Sequence, residues 1–149
     1  MNIRQRHLAI ALAASLLAAI PSPGETERAG FLVIVNAANP VSSLPQREVS
    51  DLFMKRTAKW PNGERVRPVD LPVGNPVRDA FSRAIHGRRS ADIDAHWQSL
   101  IFAGRDVPPS VKASETEVLE YVQRQAGGIG YVSAGIPLGE GVKPLEVEP

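Results

Sequence analysis

The run Phe31–Asn36, FLVIVN, constrains this chain more than any other stretch. It is continuously apolar until its last residue, rich in β-branched side chains, and bounded by Gly30 and by AANP. Valine and isoleucine suit a pleated backbone, and a strand with no polar face has to be buried on both sides. A sheet built around such a strand needs helices packed against each face, so the run by itself calls for an α/β architecture.

The signals that follow keep to that plan. In SSLPQREVSDLF, Ser43 or Leu44 offers a helix entry, Pro45 suits the first helical position, and Val49, Leu52 and Phe53 recur at helical spacing. Pro61, Asn62 and Gly63 mark a turn before VRPVDL resumes as a second strand, in which Pro68 is best tolerated at an edge or near the strand start. Val77, Phe81, Ala84 and Ile85 predict a helix ending near Gly87. Ser90 is a suitable N-cap for the next helix, whose apolar stripe is Ile93, Trp97, Leu100 and Ile101 and which stops near Gly104. Asp92 and Asp94 in its first turn favour the positive helix end and need no catalytic role. Ser114 with Glu117 forms a capping box ahead of Val118, Tyr121 and Val122; Gly127 and Gly128 stop that helix, and a strand begins at Ile129. VKPLEV reads as a last, weaker strand. The whole is a single α/β domain, residues 25–149, with a central mixed or parallel sheet in a three-layer sandwich.

The N-terminus has a different character. Arg4 and Arg6 precede the uninterrupted apolar or small run LAIALAASLLAAI, and PSPGETERA follows. A positive end, a short apolar core and a small polar exit form the layout of a secretory signal, read here as residues 1–24 with cleavage between about 18 and 30. The run is shorter than the roughly twenty residues a membrane-spanning helix wants. Removing it leaves 15 Lys and Arg against 16 Asp and Glu, a net charge of −1, which is no footprint for nucleic acid. With no cysteine in the chain, disulfides, thiolate metal sites, cysteine nucleophiles and a lipid-modified cysteine anchor are all excluded.

Catalytic signatures are sparse. His86 and His96 fall on different predicted helices, where the ordinary reading is a surface or helix-end histidine and no metal site is expected. No G-x-S-x-G, P-loop or G-x-G-x-x-G occurs, and Ser42, Ser43, Ser90 and Ser114 all lie where helix entry explains them. The few aromatics, Trp60, Trp97, Phe102 and Tyr131, are expected in the core. With no nucleophile, base and orienting group drawn together, neither an enzyme nor a cofactor is expected. The remaining candidate is VDLPVGNPVRDAF, where a strand ends at Asp70, turns through Pro72 and Gly74, and launches a helix at Pro76. Free N–H groups at a helix start favour an anion, and Arg78 adds a cation, against Asp70 and Asp79 close by.

VNAANPVSSL, VSDLFMKRTAKWPNG, HWQSLIFAGRDVPP and GGIGYV, taken in order, resemble the phosphate-binding proteins of ABC transporters, the PstS-like members of the type 2 periplasmic-binding-protein superfamily. The resemblance runs from about Phe31 to Ala134. It implies the fold of one lobe of such a protein, the second, because members of that family have two lobes that hold phosphate between them. The family's second-lobe loop of aspartate, glycine, serine, glycine and threonine falls on Val73, Gly74, Asn75, Pro76 and Val77, where only the first glycine is kept. Val73 accepts no hydrogen bond, Pro76 donates none and Val77 lacks the hydroxyl. The resemblance therefore implies an exported, non-enzymatic binding domain with candidate ligand residues Asp70, Gly74, Asn75, Val77 and Arg78. The ligand that the resemblance implies is phosphate or another small oxyanion, in transport or sensing. The rival expectation is an interaction module that has lost phosphate and binds a second copy of itself, or a transporter or sensor partner at the membrane.

Overall fold

The computed structural model describes residues 29–149; the expected signal segment, residues 1–24, lies outside them. β1 (Phe31–Asn36) is followed by β2 (Ser43–Pro45), α1 (Gln46–Phe53), β3 (Arg67–Asp70) and α2 (Pro76–Phe81), which continues as a π-helical turn over Ser82–His86. Then come α3 (Ser90–Phe102), β4 (Ser110–Val111), α4 (Glu115–Arg124), β5 (Gly128–Ser133) and β6 (Val142–Glu148). The strands form one six-stranded mixed sheet in the order β2-β6-β1-β5-β3-β4. β1 is antiparallel to both neighbours, β5 and β6, whereas β2 runs parallel to β6, and β3 parallel to β5 and β4. β1 therefore runs against all five other strands.

The apolar run of β1 is covered on both faces, as its composition requires. Asn36 donates through its carboxamide to Val122 and Gln123 carbonyls of α4, at 3.0 Å each, so that face looks at α4. Gly130, opposite Ile34, lies beneath the same helix. A Cβ there would sit 2.8 Å from Val118 and Val69 methyl carbons, so a glycine lets α4 close onto the sheet. The other face carries the aromatic core: Phe81 and Tyr131 stack at 3.9 Å between centroids, with Phe53 and Phe31 tilted against Phe81 at 4.7 and 5.6 Å. Such pairs add roughly 0.5–1.5 kcal/mol each beyond their buried area.

Three local expectations are corrected. Ser43–Pro45 is not a helix entry but a three-residue strand that adds to β6, and α1 begins at Gln46 with no side-chain cap. Ser90 is the first helical residue of α3 rather than its cap, and its hydroxyl bonds Asp79. Phe102 is 89% exposed instead of buried, and Ile101 is 48% exposed. α3 buries Ile93 and Trp97 against Met54 in a small cluster apart from the main core, with Leu100 packed on it, and the side of the last turn that carries Ile101 and Phe102 is left exposed. Pro68 sits at the second position of β3, paired to β5 at a point β4 does not reach, which is where a residue without an N–H is tolerated. Among the described residues no helix is long and apolar enough to cross a membrane.

Candidate functional site

β3 delivers Asp70 to the end of the sheet, and the chain turns at once into α2. Gly74 has φ of 88°, a left-handed value that other residues adopt at a cost, so the glycine is what permits this turn. Asn75 follows with an extended backbone and caps α2: its side-chain oxygen accepts from Val77 N at 2.8 Å and Arg78 N at 3.4 Å. Asp79 N already bonds Asn75 O at 3.0 Å, and Pro76 has no N–H. Every N–H of the first turn is therefore either absent or bonded within the chain.

The charged groups are spent in the same way. Arg78 is only 5% exposed; its guanidinium donates to Leu71 O at 2.8 Å and pairs with the Asp70 carboxylate at 3.4 Å. Asp70 accepts in addition from Leu71 N at 2.9 Å and from the Tyr131 hydroxyl. Burial raises the Asp70 carboxyl above the usual carboxylate range, and Arg78, Tyr131 and the Leu71 N–H pull it back only in part. Burial, and then the neighbouring Asp70, push the Tyr131 hydroxyl well above its ordinary value. An ion pair this dry contributes little over an apolar substitute, but removing one partner strands the other.

Asp70 and Arg78 thus meet beneath the turn, Gly74 and Asn75 stand at its lip, and Val77 is half-buried against the core. Tyr131, which lies 61 residues from Asp70, completes the cluster and is absent from the sequence-level candidates. Its only signal was the placement of GGIGYV after the last helix. At the lip, Val73 is 49% exposed, and Val111, paired with Asp70 on the neighbouring strand, is 52% exposed. His86 and His96 lie elsewhere: His86 closes the π-helical turn with Nδ1 2.8 Å from Ser50 Oγ, and His96 packs edge-on to Trp97 at 5.5 Å. Among the described residues no three His, Asp or Glu side chains gather as a metal site.

No family model matches the sequence, and no curated protein matches it significantly. Solved structures do. An ABC-type phosphate transport receptor from Vibrio cholerae superposes with a TM-score of 0.62 at 17% identity, over 79% of this chain and 46% of that one. A phosphate ABC transporter substrate-binding protein with bound phosphate, from Clostridium perfringens, gives 0.62 at 20% identity, over 79% and 44%. PstS from Borrelia burgdorferi gives 0.56 at 12%, over 79% and 47%. The fold is shared with phosphate-transport receptors. The chain spans less than half the length of the solved structures it matches, which fits one lobe of such a receptor.

Proposed function

We propose that this chain is an exported, non-enzymatic binding domain related to the phosphate-binding proteins of ABC transporters, with the turn from Asp70 to Arg78 as its recognition edge. The shared fold supports the kinship, together with the order of the motifs along the chain. The signal-like N-terminus supports export.

Of the two occupants this edge could serve, a protein partner is better supported than free phosphate. One observation carries that preference: the first-turn N–H groups, the Arg78 guanidinium and the Asp70 carboxylate are already bonded to one another or to the scaffold. An incoming oxyanion would have to displace bonds of equal kind, and each charge-assisted bond forgone is worth about 1.5–3 kcal/mol. Half-exposed Val73 and Val111 offer apolar contact instead. The partner is a second copy of the chain, or a transporter or sensor component at the membrane.

Calorimetry with inorganic phosphate and sulfate tests the choice. Asn75→Asp keeps the cap but sets a negative charge at the lip, so it discriminates binding there from binding elsewhere. No heat sensitive to that substitution is expected; a Kd below ~1 mM that Asn75→Asp weakens at least tenfold returns the small-oxyanion reading. Sedimentation velocity over a concentration series then separates the partners. Association that Val73→Asp abolishes supports the second copy, and a monomer throughout removes that form.

A further inference from the structure

The far end of α2 borders a concave surface, of about 430 Å³, between α1 and the π-helical turn. That volume is within the range of roughly 300–1,000 Å³ typical of small-molecule sites. Arg47 and Arg56 line it, and Arg47 has no ion-pair partner among the described residues. Asp51, the one acidic side chain in the lining, pairs with Arg56 at 3.1 Å. Arg88 lies just beyond, its side chain bonded among the described residues only to a backbone carbonyl, Asp92 O, at 3.4 Å. Pro149 at the rim makes no ion pair with these arginines.

The neutral groups of the pocket complement those cations. Ser50 and His86 share one hydrogen bond across the wall, and the second ring nitrogen of His86 makes no side-chain hydrogen bond among the described residues. His86 is faced by Ser50 and Arg56 from the α1 side, by Arg88 beyond the turn, and by Arg78 and the Phe81 ring edge, at 5.3 Å, from its own helix. Burial, reinforced by Arg56, Arg78 and Arg88, holds the imidazole down to about 4, so at neutral pH it is uncharged with one N–H to donate. Ile85 and Pro45 supply an apolar wall.

We propose that this pocket binds a small organic dianion, a phosphomonoester or a dicarboxylate. Arg47 and Arg56 hold its charged group, the one proton that the Ser50–His86 hydrogen bond leaves free donates to it, and Ile85 and Pro45 cover its carbon skeleton. Two guanidinium groups against the one carboxylate of Asp51 leave the lining side chains with one net positive charge, which attracts an anion, and planar donor forks suit both phosphoryl and carboxylate oxygens. The pocket is independent of the Asp70–Arg78 turn, and the two readings stand or fall separately.

Titration calorimetry on the full mature chain with glycerol 3-phosphate, succinate and uncharged glycerol is the test. A Kd of about 1 mM or tighter is expected for at least one dianion and none for glycerol. Arg47→Glu, at an exposed position that leaves the fold intact, should weaken it at least tenfold, while Asn75→Asp leaves it unchanged. The bound dianion should also raise the His86 pKa, read from its ring resonances by NMR, an effect that a merely structural His86 would not show. Binding of one dianion alone identifies the class. No binding of either at ~10 mM, or binding indifferent to Arg47→Glu, overturns the proposal.

Discussion

The two ends of α2 treat polar groups in opposite ways. At its start, Asn75, Arg78 and Asp70 bond one another, Tyr131 or the backbone, and Arg78 is buried. At its end, Arg47 and Arg88 are without ion pairs and His86 keeps a ring nitrogen unengaged among the described residues. The first arrangement spends polar chemistry on holding a turn; the second leaves it available to a solute. The geometry of a strand-to-helix turn alone is thus no guide to whether its polar groups are free.

The sharpest way to break this contrast is to remove a group from each end. Asp70→Ala leaves Arg78 and the Tyr131 hydroxyl without their partner in a dry setting, and should cost about 3–5 kcal/mol of unfolding free energy in urea. Arg47→Ala, at the open end, should stay within about 0.5 kcal/mol of the parent. Equal costs would end the distinction. Next in size is the response to acid. The folded pKa of His86, about 4, lies below its ordinary value of 6.5, so the unfolded chain takes up the proton first. Stability from this group is complete above pH 6.5 and lost as pH falls toward 4, by about 2–3 kcal/mol for a half-buried ring. Asp70 acts in the other direction: its raised pKa contributes stability in acid that is lost as pH climbs through the folded value. Denaturation midpoints measured across this range in the parent and in His86→Phe should differ in slope between pH 6.5 and 4, and parallel curves would place His86 in water.

Smaller effects sharpen the closed end. Asn75→Ala should cost about 1 kcal/mol by loss of the cap, while Asn75→Asp should cost a few tenths at most. Gly74→Ala places a Cβ at a left-handed φ and should cost about 1 kcal/mol, although the space around it is open. Thermal melts resolve both. A Gly74→Ala protein as stable as the parent would mean that the turn relaxes out of that conformation.

How legible was this in the sequence? β1 and β5 were, because FLVIVN and GIGYV are apolar runs that only a covered sheet accommodates. α4 was also legible, from Ser114 and Glu117, and Ser114 caps Glu117 N as expected. β2 was not, because Ser and Pro are common at helix starts and three residues are too few to show a period of two. What misled for Phe102 was its aromatic side chain, and for Ile101 its place in the periodic stripe; neither reports whether anything lies opposite. At the candidate site, Asn75 was legible as a cap because that bond is local. The commitment of Arg78 to Asp70 depends on how the turn folds back, and that of Asp70 to Tyr131 on strand pairing, so neither follows from spacing. The pocket beside His86 was missed too, although RAIHGRR and REVSDLFMKR carry its cations in plain view.

The opposed direction of β1 has a consequence in time. Both strands that flank it are supplied from far along the chain, Phe31 pairing with Ser133 and Val33 with Leu145. The central strand is the earliest to be synthesised and among the last to be satisfied, so the core cannot close until β6 has left the ribosome. A chain truncated before Val142 would expose Val33–Val35 along an open edge, a segment of the kind that recruits other strands.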